Sequence, residues 1–197
     1  MIQIMTEKGD KKIKEIVDGA IEEFIEKGYD ETSMEGIAKR ANLSKGGLYH
    51  HFSSKMEILY MVNMRFLEPI QDYISEIEQS KSVVEGLRNF VNNYLRYWDG
   101  HRKELNLYFL IMNASFSDVE IMLLLKSSSN QFFGYFCDLF KRGYNEGIFK
   151  ETDFHSHAVA FISCLDGYLG YLMMEPVVTL DQMISSIQNI FINNILK

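Results

Sequence analysis

The sequence predicts an all-α protein: an N-terminal three-helix helix-turn-helix domain over residues 1–53, then a C-terminal helical bundle over residues 54–197 that dimerises. Three observations carry this. From residue 54 onward only helical apolar spacing occurs. The 197 residues hold just two prolines and 13 glycines, too few for the many turns of a β-sandwich or barrel. Near the N-terminus, two short helices flank a tight turn, and a stretch without a single acid runs from Gly36, inside the first of them, to Met56.

The first amphipathic pattern runs from about Lys11 to Lys27. Ile13, Ile16, Val17, Ala20, Ile21, Phe24 and Ile25 make one apolar face. Gly28 follows as a left-handed stop. Thr32 with Glu35 reads as a capping box opening a short second helix through Ile37, Ala38 and Ala41. Asn42-Leu43 ends that helix, since Asn tolerates turn conformations. Ser44 is the expected N-cap of a third helix from Lys45 to about Phe52. Ser54 with Glu57 opens a fourth. Two short helices joined by a three- or four-residue turn form a helix-turn-helix, whose second helix enters the DNA major groove in proteins that use it.

Charge agrees with this placement. The chain has a formal net charge of -7, which as an average argues against nucleic acid. From Gly36 to Met56, however, there is no Asp or Glu, while Lys39, Arg40, Lys45, His50, His51 and Lys55 fall there. Gly46-Gly47 costs the third helix about 1 kcal/mol per glycine against Ala. Close approach of its backbone to a phosphate or base edge explains two glycines there. Free N–H groups at the two helix starts can also receive phosphates. Leu48 and Phe52 point to the core, and Tyr49 is either a core-rim aromatic or a groove-facing one.

The segment from Thr32 to Leu59, TSMEGIAKRANLSKGGLYHHFSSKMEIL, resembles the DNA-binding signature of TetR-family transcriptional regulators. It departs from that signature at Asn42, where glycine is usual, and at Leu43, where valine is usual. The resemblance covers about the first 60 residues. It implies phosphate contacts from Thr32, Ser33 and Ser44. It places Lys45, Gly46, Gly47 and Tyr49 in the groove, His50 and His51 at the end of the recognition helix, and Lys55 near the DNA backbone. It further implies a homodimer on a palindromic operator in double-stranded DNA, and repression relieved by a small molecule held in the C-terminal domain.

Helices are expected at about 54–79, 82–98, 103–114, 117–146, 153–174 and 179–196. Ser117 with Glu120 and Thr152-Asp153 are start signals, Gly147 is a stop, and Pro69 should kink or divide its helix. The region is rich in aromatics and Met, most of them core. The candidate ligand-binding set is Tyr94, Trp98, Tyr108, Met112, Asn113, Phe133, Phe161, Asp166 and Tyr168, fitting an apolar or aromatic ligand that remains unidentified. Asp166 either pairs a cationic ligand or sits on a solvated face. The last two helices carry more apolar surface than one helix pair needs, as expected of a two-fold four-helix interface.

Other classes find little support. Cys137 and Cys164 lack C-x-x-C spacing and a base partner, so a disulfide scaffold, a zinc module and a nucleophilic thiol are not expected. His155 and His157 do not share a helix face and make poor joint metal ligands. No cofactor and no enzymatic activity are expected. The alternative is an all-helical partner-binding module or an enzyme on the same fold. No apolar run reaches the roughly 18 residues of a membrane span. The first seven residues turn acidic too soon for a signal peptide, so no membrane association is expected, and a cytoplasmic location is.

Overall fold

A computed structural model describes residues 7–174 and 178–197, with side chains from residue 11 onward. Among the described residues there are nine α-helices and no β-strand. They are α1 (Glu7–Glu31), α2 (Met34–Arg40), α3 (Lys45–His51), α4 (Lys55–Gln79), α5 (Val83–Gly100), α6 (Arg102–Ala114), α7 (Val119–Asn145), α8 (Phe154–Met173) and α9 (Leu180–Phe191). Each expected helix is present, most with ends within two residues of the expectation.

The chain divides into two compact units, Met1–Glu68 with Asn106–Leu124, and Pro69–Leu105 with Leu125–Lys197. In the first unit, α1, α2 and α3 close on a core of Ile16, Ala20, Phe24, Ile37 and Leu48, all fully buried. Ile58, Leu59 and Val62 of α4 are buried as well. The apolar stripe read along α1 is therefore the stripe that packs. Gly28 breaks the helical path as expected, with φ 76° and ψ 172°. Asn42 takes φ 53°, the left-handed turn its side chain tolerates.

The second unit has an aromatic core. The ring of Phe136 lies 4.9 Å from Phe90 and 5.1 Å from Phe161. Phe161 in turn meets Phe140 and Phe191. Burying one such ring contributes about 1.5–3 kcal/mol. Arg142 of α7 grips Glu78 of α4 through both guanidinium NH groups, at 2.8 and 3.0 Å. The Tyr135 hydroxyl donates to the same carboxylate at 2.8 Å.

Two expectations are corrected and a third is narrowed. Of the kink or division expected at Pro69, division does not occur, and α4 runs through it as one helix. The start of α7 is capped by Asp118, whose carboxylate accepts from the Glu120 and Ile121 N–H groups, while the Ser117 hydroxyl donates back to the Ala114 carbonyl. The last helix ends at Phe191 instead of reaching 196. Beyond it the Lys150 N–H donates to the Ile195 carbonyl and the Lys197 N–H to the Ile148 carbonyl, which draws the chain out of the helix.

Candidate nucleic-acid interface

The second helix begins one residue later than expected. Ser33, not Thr32, is its N-cap, and its hydroxyl oxygen accepts from the Gly36 N–H at 3.1 Å. Thr32 is only 3% exposed. Its hydroxyl donates to the Gly28 carbonyl at 2.6 Å, with the Glu23 carbonyl 3.3 Å away. Adjacent Thr and Ser both suit a cap, and burial decides between them. Thr32 thus ties the α1–α2 turn together, and Ser33 stands exposed at the helix start.

The third helix starts as expected. The Ser44 hydroxyl oxygen accepts from the Gly47 N–H at 3.0 Å. The turn into it is held by the Leu43 N–H, which donates to the Ala38 carbonyl at 2.8 Å. Leu48 is fully buried and fixes which face of α3 points inward. The outward face presents Lys45, Gly46, Tyr49 and His50. Lys45 and Tyr49 are one turn apart and share a face, and Tyr49 is 47% exposed. A Cβ built at Gly46 meets nothing within 4 Å, whereas one at Gly47 comes 3.3 Å from the Ser44 hydroxyl. His50 and His51 stand edge to face at the end of the helix. Lys45 makes one loose, exposed ion pair with Glu35 at 3.7 Å. Such a pair contributes little and gives way readily.

Two cations of the acid-free stretch turn inward. Arg40 binds Glu22, Glu23 and Glu26 of α1. Glu23 is buried, with 3% of its side chain exposed, and it also receives the Lys27 ammonium at 2.5 Å. Hydrogen bonds from Lys27 and then Arg40 hold its carboxyl below the usual carboxylate range. A Cβ at Gly36 would overlap that carboxylate, so any larger residue there would have to displace the Glu23 side chain from its place between α1 and α2. Sequence reasoning missed Glu23, although the signal was there. It lies on the α1 face that carries Ala20 and Phe24.

Lys55 likewise points inward. Its ammonium donates to the carbonyls of Tyr29 (2.5 Å), Asp30 (3.2 Å) and Thr32 (2.9 Å). Lys39 and Lys45 remain to give the surface its positive character, beside the imidazoles of His50 and His51.

The nine candidate ligand residues fall in both units. Tyr108, Met112 and Asn113 belong to the first, and Asn113 is exposed. In the second unit, Tyr94, Trp98 and Phe161 are buried, and Phe133 and Tyr168 are half-buried. Phe161 is fully enclosed by core rings. The Tyr94 hydroxyl meets Asp166. Asp166 as a residue is exposed, yet loss of hydration among the surrounding protein pushes its carboxyl up to about 6, opposed by the Tyr94 hydrogen bond.

The fold and this face together define a helix-turn-helix domain at the head of a helical chain. Residues 16–60 match the family model of the bacterial regulatory proteins of the tetR family. A relative from Staphylococcus aureus strain Newman, the biofilm operon icaADBC HTH-type negative transcriptional regulator IcaR, is 33% identical over 101 residues, which cover 50% of this chain and 53% of the relative. The chain thus spans about half the length of the curated relatives it matches. Among solved structures, a TetR transcription regulator from Haloarcula marismortui superimposes with a TM-score of 0.82 at 14% identity, over 95% of this chain and 100% of the other. A transcriptional regulator from Saccharomonospora viridis, in complex with choline, does so with 0.80 at 19% identity, over 95% and 99%. These two likenesses show the all-helical fold over 95% of the chain.

Proposed function

We propose that the protein is a DNA-binding transcriptional regulator of the repressor type, homodimeric on a palindromic operator, with residues 1–53 as the DNA-binding domain and 54–197 as the ligand-binding and dimerisation domain. The observation that carries this reading is the outward face of α3. The helix itself is capped, carries no acid and, free of packing at Gly46, joins Lys45 and Tyr49 on one side. Ser33 and Ser44 at the helix starts, with Gly47, His50 and His51, complete the proposed contact set. Thr32 supports it from beneath.

The dimer reading draws on α8 and α9. Tyr171 is 56% exposed and Ile190 51%. Gly167 and Gly170 have open space where a Cβ would stand. A smooth, partly apolar surface of this kind suits an isologous contact. For the ligand, the Asp166–Tyr94 pair makes lipophilic cations the class to screen first, beside fatty acyl and aromatic compounds. A ligand that relieves repression must bind the DNA-incompetent arrangement more tightly than the competent one.

The test is selection of duplexes from a random-sequence pool by the full chain, followed by binding at graded salt. Enrichment of an inverted repeat, with affinity falling steeply as salt rises, is expected. Failure to enrich any duplex would overturn the reading.

A further inference from the structure

We propose that Lys55 is a positioning residue of the DNA-binding face: it staples the start of α4 to the α1–α2 turn and makes no phosphate contact. The proposal rests on the DNA-binding reading above and changes what one residue of the signature does within it.

An ammonium has three N–H donors and no more. In Lys55 all three are engaged, by the carbonyls of Tyr29, Asp30 and Thr32. These carbonyls lie just past the break at Gly28, at the negative end of α1, where a cation is favoured. The Tyr29 ring closes another side, with its centroid 4.3 Å from the ammonium nitrogen. Tyr29 itself stacks on the buried ring of Phe24. Burial pushes the Lys55 ammonium's pKa down, while Asp30 and Glu31 hold it up. A phosphate would have to draw the ammonium out of this seat and leave three carbonyls behind.

What the staple holds is the DNA-facing geometry. Thr32, whose carbonyl it fixes, directly precedes Ser33, the cap of α2. The Thr32 hydroxyl meanwhile holds the Gly28 carbonyl. The turn is therefore gripped by Lys55 and Thr32 together, and α2 carries the turn that sets α3.

The test uses the full chain and the duplex recovered by selection with the wild-type protein. If the wild type recovers none, the functional reading fails before this proposal is reached. With that duplex, Lys55→Met is expected to lower affinity about tenfold and to melt earlier, with the slope of log K against log salt unchanged. Lys45→Met serves as the contact control, its slope falling by about 0.9 per bound protomer. A comparable loss of slope in Lys55→Met, or wild-type affinity and melting, would overturn the proposal. Should Lys55→Met fail to fold, Lys55→Arg decides. Arginine binds phosphate at least as well, but its planar fork does not send three N–H bonds from one nitrogen. Reduced affinity at unchanged slope is expected from it, and wild-type affinity would overturn the proposal.

Discussion

Gly46→Ala should separate what the fold needs from what DNA needs. Gly46 is the second residue of α3 and exposed, and an added Cβ would meet nothing within 4 Å. Alanine in a helix is favoured over glycine, partly because it restricts the unfolded chain. The expected gain is roughly 0.4–1 kcal/mol. For a chain of this size that is about 1–4 °C in melting temperature. Binding should move the other way. A methyl group adds about 1.5 Å of reach from Cα, so a backbone seated against Gly46 must retreat by a comparable distance. Hydrogen bonds near 2.9 Å do not survive that, and losing one or two weakens binding about ten- to a hundredfold. Circular dichroism melting and fluorescence anisotropy on the selected duplex read the two effects separately. Unchanged affinity would show that the clearance is not used by DNA. A lower melting temperature would show that glycine serves the fold. Gly47→Ala is less informative, because its Cβ would press on Ser44 at 3.3 Å and Leu43 at 3.4 Å.

Glu23→Gln removes the buried carboxylate that Lys27 and Arg40 share. It should cost about 2 kcal/mol at neutral pH. Because the folded carboxyl titrates below its unfolded value, that stabilisation is full above about pH 4.5 and is lost as pH falls through the folded pKa. Melting curves at pH 7, 5 and 4 should show the gap to wild type closing, and a constant gap would contradict the ionic role. Lys45→Ala and Tyr49→Ala should each weaken duplex binding at least tenfold with melting unchanged within about 2 °C; unaltered affinity in both would move the contact face elsewhere. Asp166→Asn should raise the melting temperature at pH 8 and have little effect near pH 4. The raised carboxyl favours the folded state at low pH, and that advantage is lost as pH rises through about 6. An equal effect at both pH values would refute it.

What the sequence disclosed was local. Asn42, Ser44 and Gly147 could be read because a turn or cap is decided by the residue itself and its near neighbours. The choice between Thr32 and Ser33 could not be, since both chemistries fit and only tertiary burial separates them. Ser117 against Asp118 failed on local grounds: the exposed Ser117 hydroxyl donates back to the Ala114 carbonyl and leaves the cap to Asp118. The charge pattern picked out the surface proposed here to face DNA, and it counted too many cations there. Arg40 and Lys55 look like surface cations in sequence, and their partners, Glu23 in α1 and the Tyr29 carbonyl, lie 17 and 26 residues away. The ligand set was the least legible part. Phe161 has the composition of a pocket residue and the setting of a core one, and apolar periodicity does not distinguish the two.

The central claim is that the outward face of α3 meets DNA. Backbone hydrogen exchange of the full chain, with and without the selected duplex, tests it most directly. The account predicts slowed exchange concentrated in residues 44–50 and at the start of α2. Protection confined to other helices, with α3 exchanging as in the free protein, would contradict it.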